Sequence, residues 1–272
     1  MRETYDPQTF WEKRLSEELD ITTVGHAGLG YAYNQWLYRA RFRSLGRVLK
    51  KLRLDMNQAA ITEAGVGSGA YLPFWLSRGV RQITGIDITS ASVSRLSQRY
   101  PDLRFLQADI CAQDPPAAAP ADVVTAFDVL FHITDDAAFE RAIANLGALT
   151  KPGGLVLLSD GFCAQSWGPA FHEYHRSYDL YAEALRRYEM KPILLAPIFF
   201  TMTTTLCDST GGSRRLAPVT AAILRFVQRR AASKRTAWVN QIIGGGLYVV
   251  DGILGSALAT GPTLKLMLAR KS

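Results

Sequence analysis

The chain has 272 residues, 48% of them hydrophobic and 20% charged, enough apolar content for the core of one large domain with elaborations, which excludes a coiled coil or a disordered chain. Its 31 Lys and Arg against 24 Asp and Glu leave a net charge of +7, which attracts anionic partners without naming one. No RNP sequence, zinc finger or basic zipper accompanies that charge, so no nucleic-acid partner is expected.

The charged N-terminus has no apolar run behind it, and no secretory signal is expected there. Cys111, Cys163 and Cys207 are far apart in sequence and form no C-x-x-C pair, which fits a reducing, cytoplasmic setting. Residues 8–19 carry apolar groups at helical spacing, and a glycine-rich turn over 25–30 leads into a second helix over 31–52. That second helix holds Tyr31, Tyr33, Trp36, Tyr38 and Phe42 beside Arg39, Arg41 and Arg43. Most of these aromatics are expected to pack, with Tyr33, Asn34 and Arg39 as candidates to close over a ligand. Residues 1–55 thus read as an N-terminal helical cap on a main domain over 56–272.

From residue 59 short apolar strands alternate with helices: strand 59–64 and a helix, strand 82–87 and helix 90–100, strand 103–107, strand 121–127 and helix 135–149, strand 154–160. This is the pattern of an α/β fold with a doubly wound, mostly parallel sheet, whose ligands sit beyond the carboxyl ends of the strands. The spacing then relaxes over 161–176, which holds Trp167, Phe171, His172, Tyr174 and His175, before a helix at 177–189 and a strand at 192–206. A last strand is expected at 263–270, after an insertion spanning 207–261.

The insertion combines a basic amphipathic helix with a glycine-rich apolar segment over 242–258. The basic residues Arg214, Arg215, Arg225, Arg229, Arg230, Lys234 and Arg235 read first as a solvated face. The apolar segment reads as a packing cap, with a lining for a lipidic acceptor as the other reading. The apolar run over 236–264 is interrupted by Gly244, Gly245, Gly246 and Asp251, so no membrane span is expected.

The residues that carry chemistry cluster at strand ends. Gly65, Gly67 and Gly69 join the first strand to a helix, and such a turn lets a ligand meet main-chain N–H groups at close range. Asp87 ends the second strand, where a carboxylate can accept hydrogen bonds from ribose hydroxyls, although a helix N-cap is the competing role. Asp109 follows the third strand, where it can accept from an exocyclic amine such as that of adenine, with Ile110 packing on the ring.

Taken together these motifs resemble the class I S-adenosylmethionine-dependent methyltransferases. The resemblance rests on Glu63 with the three glycines, Gly85-Ile86-Asp87, Gln107-Ala108-Asp109-Ile110, the segment Phe127-Asp128-Val129-Leu130-Phe131-His132-Ile133, and Lys151-Pro152-Gly153-Gly154. It covers residues 59–160 strongly, the last strands loosely and the N-terminal helices hardly at all. It implies a seven-stranded Rossmann-like sheet with N-terminal helices and a helical insertion before the last strand. It also implies S-adenosyl-L-methionine as cofactor: Glu63 and the glycines at the methionine end, Asp87 with Ile88 at the ribose, Asp109 and Ile110 at the adenine, and Phe127 with Asp128 below the sulfonium. A dehydrogenase fits less well, because no Tyr-x-x-x-Lys relay occurs and Glu63 would repel a pyrophosphate.

Methyl transfer needs a nucleophile aligned behind the methyl and water kept out. A hydroxyl acceptor must also lose its proton, and His132, just past the fourth strand, leads as the acceptor of that proton, with His172 and His175 as competitors. The H-x-x-H spacing of the latter two lacks a firm third ligand, so no metal is expected. The reaction expected is O-methylation of a small molecule, apolar or anionic, such as a sugar, a polyketide or another secondary metabolite. N- or C-methylation of a small or lipidic substrate and a catalytically silent cofactor-binding scaffold are the alternatives, and a homodimer is allowed.

Overall fold

The computed structural model describes residues 5–52, 55–204, 212–231, 236–259 and 261–272. Three helices come first, α1 (Pro7–Glu17), α2 (Ile21–Val24) and α3 (Gly30–Leu52). The alternating region follows as β1 (Ala60–Ala64), α4 (Leu72–Leu76), β2 (Gln82–Asp87), α5 (Ser90–Arg99), β3 (Arg104–Gln107), β4 (Ala121–Phe127), α6 (Asp136–Ala148) and β5 (Thr150–Asp160). The chain ends with α7 (Tyr178–Arg187), β6 (Met190–Pro197), α8 (Gly212–Ala231), α9 (Ala237–Ala257) and β7 (Lys265–Lys271).

The strands form one seven-stranded sheet in the order β3-β2-β1-β4-β5-β7-β6. β7 is antiparallel to both of its neighbours, while β1 to β5 pair in parallel. Alternation along the central strands sends Val123, Leu155 and Leu157 into one buried layer and Val124, Val156 and Leu158 into the other, as the two-residue period of a pleated strand requires. The first layer also takes Leu37, Leu45 and Val48 of α3 with Leu224 and Val227 of α8, so the N-terminal helices and the insertion share the sheet's core. The second layer takes Phe139 and Ile143 of α6 and Tyr181 and Leu185 of α7.

Two expectations are corrected. β6 ends at Pro197 rather than near 206, and Ile198, Phe199 and Met202 instead turn inward and are buried. The cause is Asp251 of α9, whose buried carboxylate accepts from the backbone N–H groups of Phe200 (2.9 Å) and Thr201 (2.8 Å). Those donors are satisfied without a neighbouring strand. The expected end of that strand, 205–206, lies outside the described residues.

The glycine-rich segment, read as a packing cap, is part of an unbroken α9. A Cβ on Gly244 would stand 2.5 Å from Cδ1 of Trp36, and one on Gly252 would stand 2.4 Å from Nη1 of Arg43. The glycines therefore form the face that lets α9 approach α3. Gly244→Val is expected to lower stability by about 1–3 kcal/mol through overpacking, read as a lower melting temperature.

Cys111 is a free thiol and Cys163 is disulfide-bonded, which removes the argument from cysteines for a reducing setting. Cys207, the side chains of Arg214 and Arg215, and Lys234 and Arg235 lie outside the described residues. Among the described residues no helix is long and apolar enough to cross a membrane.

Candidate functional site

The glycine turn is built as the spacing predicts. Gly65, Gly67 and Gly69 have φ of 72°, 52° and 73°, a region where a Cβ is strained. The backbone N–H groups of Gly65 and Val66 donate to the carbonyl of Ile86, and that of Gly67 donates to Oδ2 of Asp87 at 2.8 Å. The end of β2 thus holds the turn after β1. A Cβ on Gly65 would meet Cγ2 of Val129 at 2.3 Å, and one on Gly69 would meet Cδ2 of Leu96 at 2.7 Å.

Above the carboxyl ends of β1, β2 and β4 lies a cavity of about 460 Å³. Glu63, Gly65, Gly67, Asp87, Ile88, Asp109, Ile110, Phe127, Asp128 and His132 line it. Gly69 does not line it and serves the packing of the turn on α5 instead. His172 and His175 do not line it either.

Glu63 is 2% exposed, and its one hydrogen-bond partner among the described residues is the indole N–H of Trp75, at 3.3 Å. Burial pushes its carboxyl up to about 8, the Trp75 bond opposes this, and the nearby Asp87 charge adds to it. The pocket thus presents a desolvated carboxyl that is ionised best when a cation stands beside it. Ser68, also on the wall, has a buried hydroxyl with no partner among the described residues.

Asp87 is also buried, and burial raises its pKa against the hydrogen bonds it accepts from Thr89 and Gly67. The N-cap of α5 is Thr89, not Asp87. Asp109 is exposed at the rim, where it accepts from the backbone N–H of Cys111. Phe127 packs on Tyr71 with ring centroids 4.4 Å apart.

Asp128 adopts a φ of 58°, and its carboxylate is held by the hydroxyl of Ser159 (2.7 Å) and the guanidinium of Arg41 (2.7 Å). The pair joins α3 to the sheet at the cavity wall.

His132 ends a short 3-10 turn after β4 and is packed by Trp11, Phe131 and His172. Its Nδ1 lies 2.9 Å from the carbonyl oxygen of His172, which can only accept, so Nδ1 carries the proton and Nε2 carries the lone pair. Burial pushes its pKa down to about 4, against the His172 bond, which raises it. The irregular stretch that delivers this carbonyl is itself pinned: Tyr174 N–H donates to Phe131 O, and the buried Arg176 donates to Asp136 and to the carbonyl of Ile133.

His175 forms a different unit. Its Nδ1 is 2.5 Å from Oδ1 of Asp160, whose other oxygen accepts from Tyr181 at 2.6 Å. Burial lowers the pKa of His175, but the Asp160 bond and charge outweigh it and leave it raised. The unit sits under the cavity wall and braces the end of β5. Among the described residues no three His, Cys, Asp or Glu are placed to hold a metal ion.

Sequence reasoning missed the roof. Tyr5, Gln8, Trp11, Leu15 and Val24 line the cavity from the N-terminal segment, joined by Tyr38 and Tyr71. α1 is fixed there by Glu12, whose carboxylate accepts from the N–H groups of Ser90 (2.7 Å) and Ala91 (3.0 Å) and from the Ser90 hydroxyl (2.8 Å). Those are unsatisfied donors at the start of α5. Arg95 of α5 returns the contact to the carbonyls of Leu15 and Ser16. Helical spacing over 8–19 indicated an amphipathic helix but not the surface it covers. Tyr33, Asn34 and Arg39 turn elsewhere, to the Met202 carbonyl, the His26 backbone and the Trp36 ring. Glu12→Ala is expected to weaken retention of a ligand in the cavity by about tenfold, measured as a faster dissociation rate in stopped flow.

Known proteins share parts of this sequence and this fold. Residues 61–154 match the family model described as a methyltransferase domain. The chain is 38% identical over 154 residues to the ubiquinone biosynthesis O-methyltransferase of Stutzerimonas stutzeri, covering 51% of this chain and 64% of that protein. It is 32% identical over 139 residues to the protein of the same name from Albidiferax ferrireducens, covering 47% and 54%. It is 30% identical over 118 residues to a Mycobacterium tuberculosis protein named "Probable S-adenosylmethionine-dependent methyltransferase", covering 43% and 41%. The chain thus spans about half the length of the curated relatives it matches. In fold it is similar to the magnesium protoporphyrin IX methyltransferase of Synechocystis PCC 6803, with a TM-score of 0.56 over 100% of both chains at 13% identity.

Proposed function

We propose that this chain, whose residues 61–154 match a methyltransferase domain, is an S-adenosylmethionine-dependent methyltransferase that transfers a methyl group to a hydroxyl oxygen of a small molecule. The residues present suit the cofactor. A desolvated carboxyl at Glu63, glycines without side chains and an unpartnered Ser68 hydroxyl match an ammonium, a close-lying carboxylate chain and a hydrogen-bonding group respectively. In this reading Glu63 and the turn over 65–69 hold the methionine end, Asp87 and Ile88 the ribose, and Asp109 and Ile110 the adenine.

The cofactor supplies a methyl group on a positively charged sulfur, so the protein needs no further electrophile. Phe127, Tyr71 and Tyr38 wall the cavity with apolar surface and exclude water, which favours transfer over hydrolysis. Asp128 is engaged by Arg41 and Ser159 and acts as a brace. His132 takes the acceptor's proton on Nε2. The observation that carries the choice of oxygen is the tautomer of His132, which the His172 carbonyl sets so that a lone pair is available at a cavity-lining imidazole that stays neutral at pH 7. Relatives named for O-methylation support the same acceptor atom. The test is incubation of the protein with a small-molecule extract and methyl-labelled cofactor, followed by mass spectrometry: a labelled methyl ether or ester is expected, and a labelled amine or carbon-methyl product overturns the reading.

A further inference from the structure

α9 is apolar on nearly every side. Its one charged side chain, Asp251, is buried and spent on the backbone of 200–201. A helix of that kind is ordinarily enclosed by protein. Here the glycine face rests on α3, but another stripe is open to solvent: Trp238 is 63% exposed, Ile242 64%, Val249 57% and Ile253 66%. At about 100° per residue these four fall within an arc of about 60°. α8 extends the surface with Val219 and Phe226, and an apolar groove joins the helices between Ile223 and Ile243. Exposed apolar residues scattered singly are normal, whereas a contiguous patch marks an interaction surface.

The sequence that carries the patch is strongly basic. Residues 207–261 contain seven Lys and Arg against two Asp and no Glu, a net +5 out of the chain's +7. Arg225 and Arg229 are exposed on α8, and Arg230 lies 3.5 Å from the centre of the Phe226 ring. With Asp251 buried, no described acidic side chain on α8 or α9 offsets them.

We infer that the α8–α9 face seats on an anionic lipid bilayer, with the Trp238 to Ile253 stripe at the headgroup boundary and the arginines against lipid phosphates. A tryptophan-bearing apolar stripe beside a cationic rim is the composition of helices that lie in a membrane interface without crossing it. A second copy is disfavoured as occupant, because self-pairing of this face brings the exposed Arg225 and Arg229 of two copies together. This inference is independent of the methyl-transfer reading and stands or falls by a different measurement.

The test is flotation with vesicles of phosphatidylcholine carrying about one third phosphatidylglycerol, alongside vesicles of phosphatidylcholine alone, with light scattering of the free protein. Binding to the anionic vesicles is expected, weakened by salt and much reduced on the neutral ones. Joint substitution Ile242→Asp and Ile253→Asp is expected to weaken binding at least tenfold, and Arg225→Gln with Arg229→Gln by about fivefold for each arginine. Calorimetric titration of each variant with S-adenosylmethionine shows whether the fold is intact, since these residues are exposed and remote from the cavity lining. The inference is overturned by failure of the wild-type chain to float with anionic vesicles, by folded variants that still float, or by a dimer that Ile242→Asp dissociates while vesicles are ignored.

Discussion

Glu63→Gln is expected to weaken S-adenosylmethionine binding by about 100-fold while raising the melting temperature at neutral pH. Removing one partner from a buried charge pair costs about 3–5 kcal/mol. At pH 7 about 1.4 kcal/mol of the wild type's advantage is already consumed in ionising a carboxyl held near 8. The difference leaves about two powers of ten. The stability effect has the opposite sign. An unfolded Glu63 ionises near its ordinary value of 4.5, but the folded chain keeps the proton until about 8. In that window the native state binds more protons than the unfolded one, so stability falls as pH rises from about 4.5 to 8. Glutamine is neutral throughout and escapes the loss.

The same carboxyl makes cofactor affinity rise with pH, by up to about tenfold per unit, until it levels off near 8. Calorimetry in two buffers of different ionisation enthalpy reads the proton released on binding. An affinity independent of pH between about 6 and 8 would refute the linkage.

His132→Ala should leave cofactor affinity within a few-fold of wild type and lower kcat by about 10²–10⁴, the span expected when a general base is lost. Its pH signature is specific. Because burial holds the imidazole near 4, kcat for a hydroxyl acceptor declines only as pH falls toward 4, rather than through the ordinary histidine range near 6.5. The stability sign follows: an unfolded His132 protonates near 6.5, the folded one resists until about 4, and native stability is lost as pH falls between those values. A limb near 6.5 would transfer the role to another group. An unchanged kcat in the folded variant would remove His132 from the chemistry and favour an acceptor that arrives already deprotonated.

Much of the site was legible because its determinants are local. The turn from Gly65 to Gly69 is written in residue type, and Asp87 and Asp109 sit where strand ends put them, so position along the chain translates directly into position at the sheet's edge. The roof was not legible, since Tyr5, Trp11 and Leu15 owe their place to Glu12 meeting the start of α5, 78 residues away. The early end of β6 depended on Asp251, a residue about 50 positions later. His175 competed with His132 from a stretch without periodicity, and the buried Asp160 beside it separates a brace from a cavity wall. The close approach of α9 to α3 was not legible, since it depends on the register that sets Gly244 and Gly245 against Trp36 and Gly252 against Arg43.

The clamp of Glu12 and Arg95 on α1 also bears on the timing of turnover. Five hydrogen bonds, several of them exposed, fasten the helix across the cavity mouth. If lifting it costs about 3 kcal/mol, the mouth is open less than about 1% of the time. Spent cofactor then leaves at the release rate of the open site scaled by that fraction, so the first round of product should form as a burst ahead of a slower steady state, with replacement of the cofactor as the slow event.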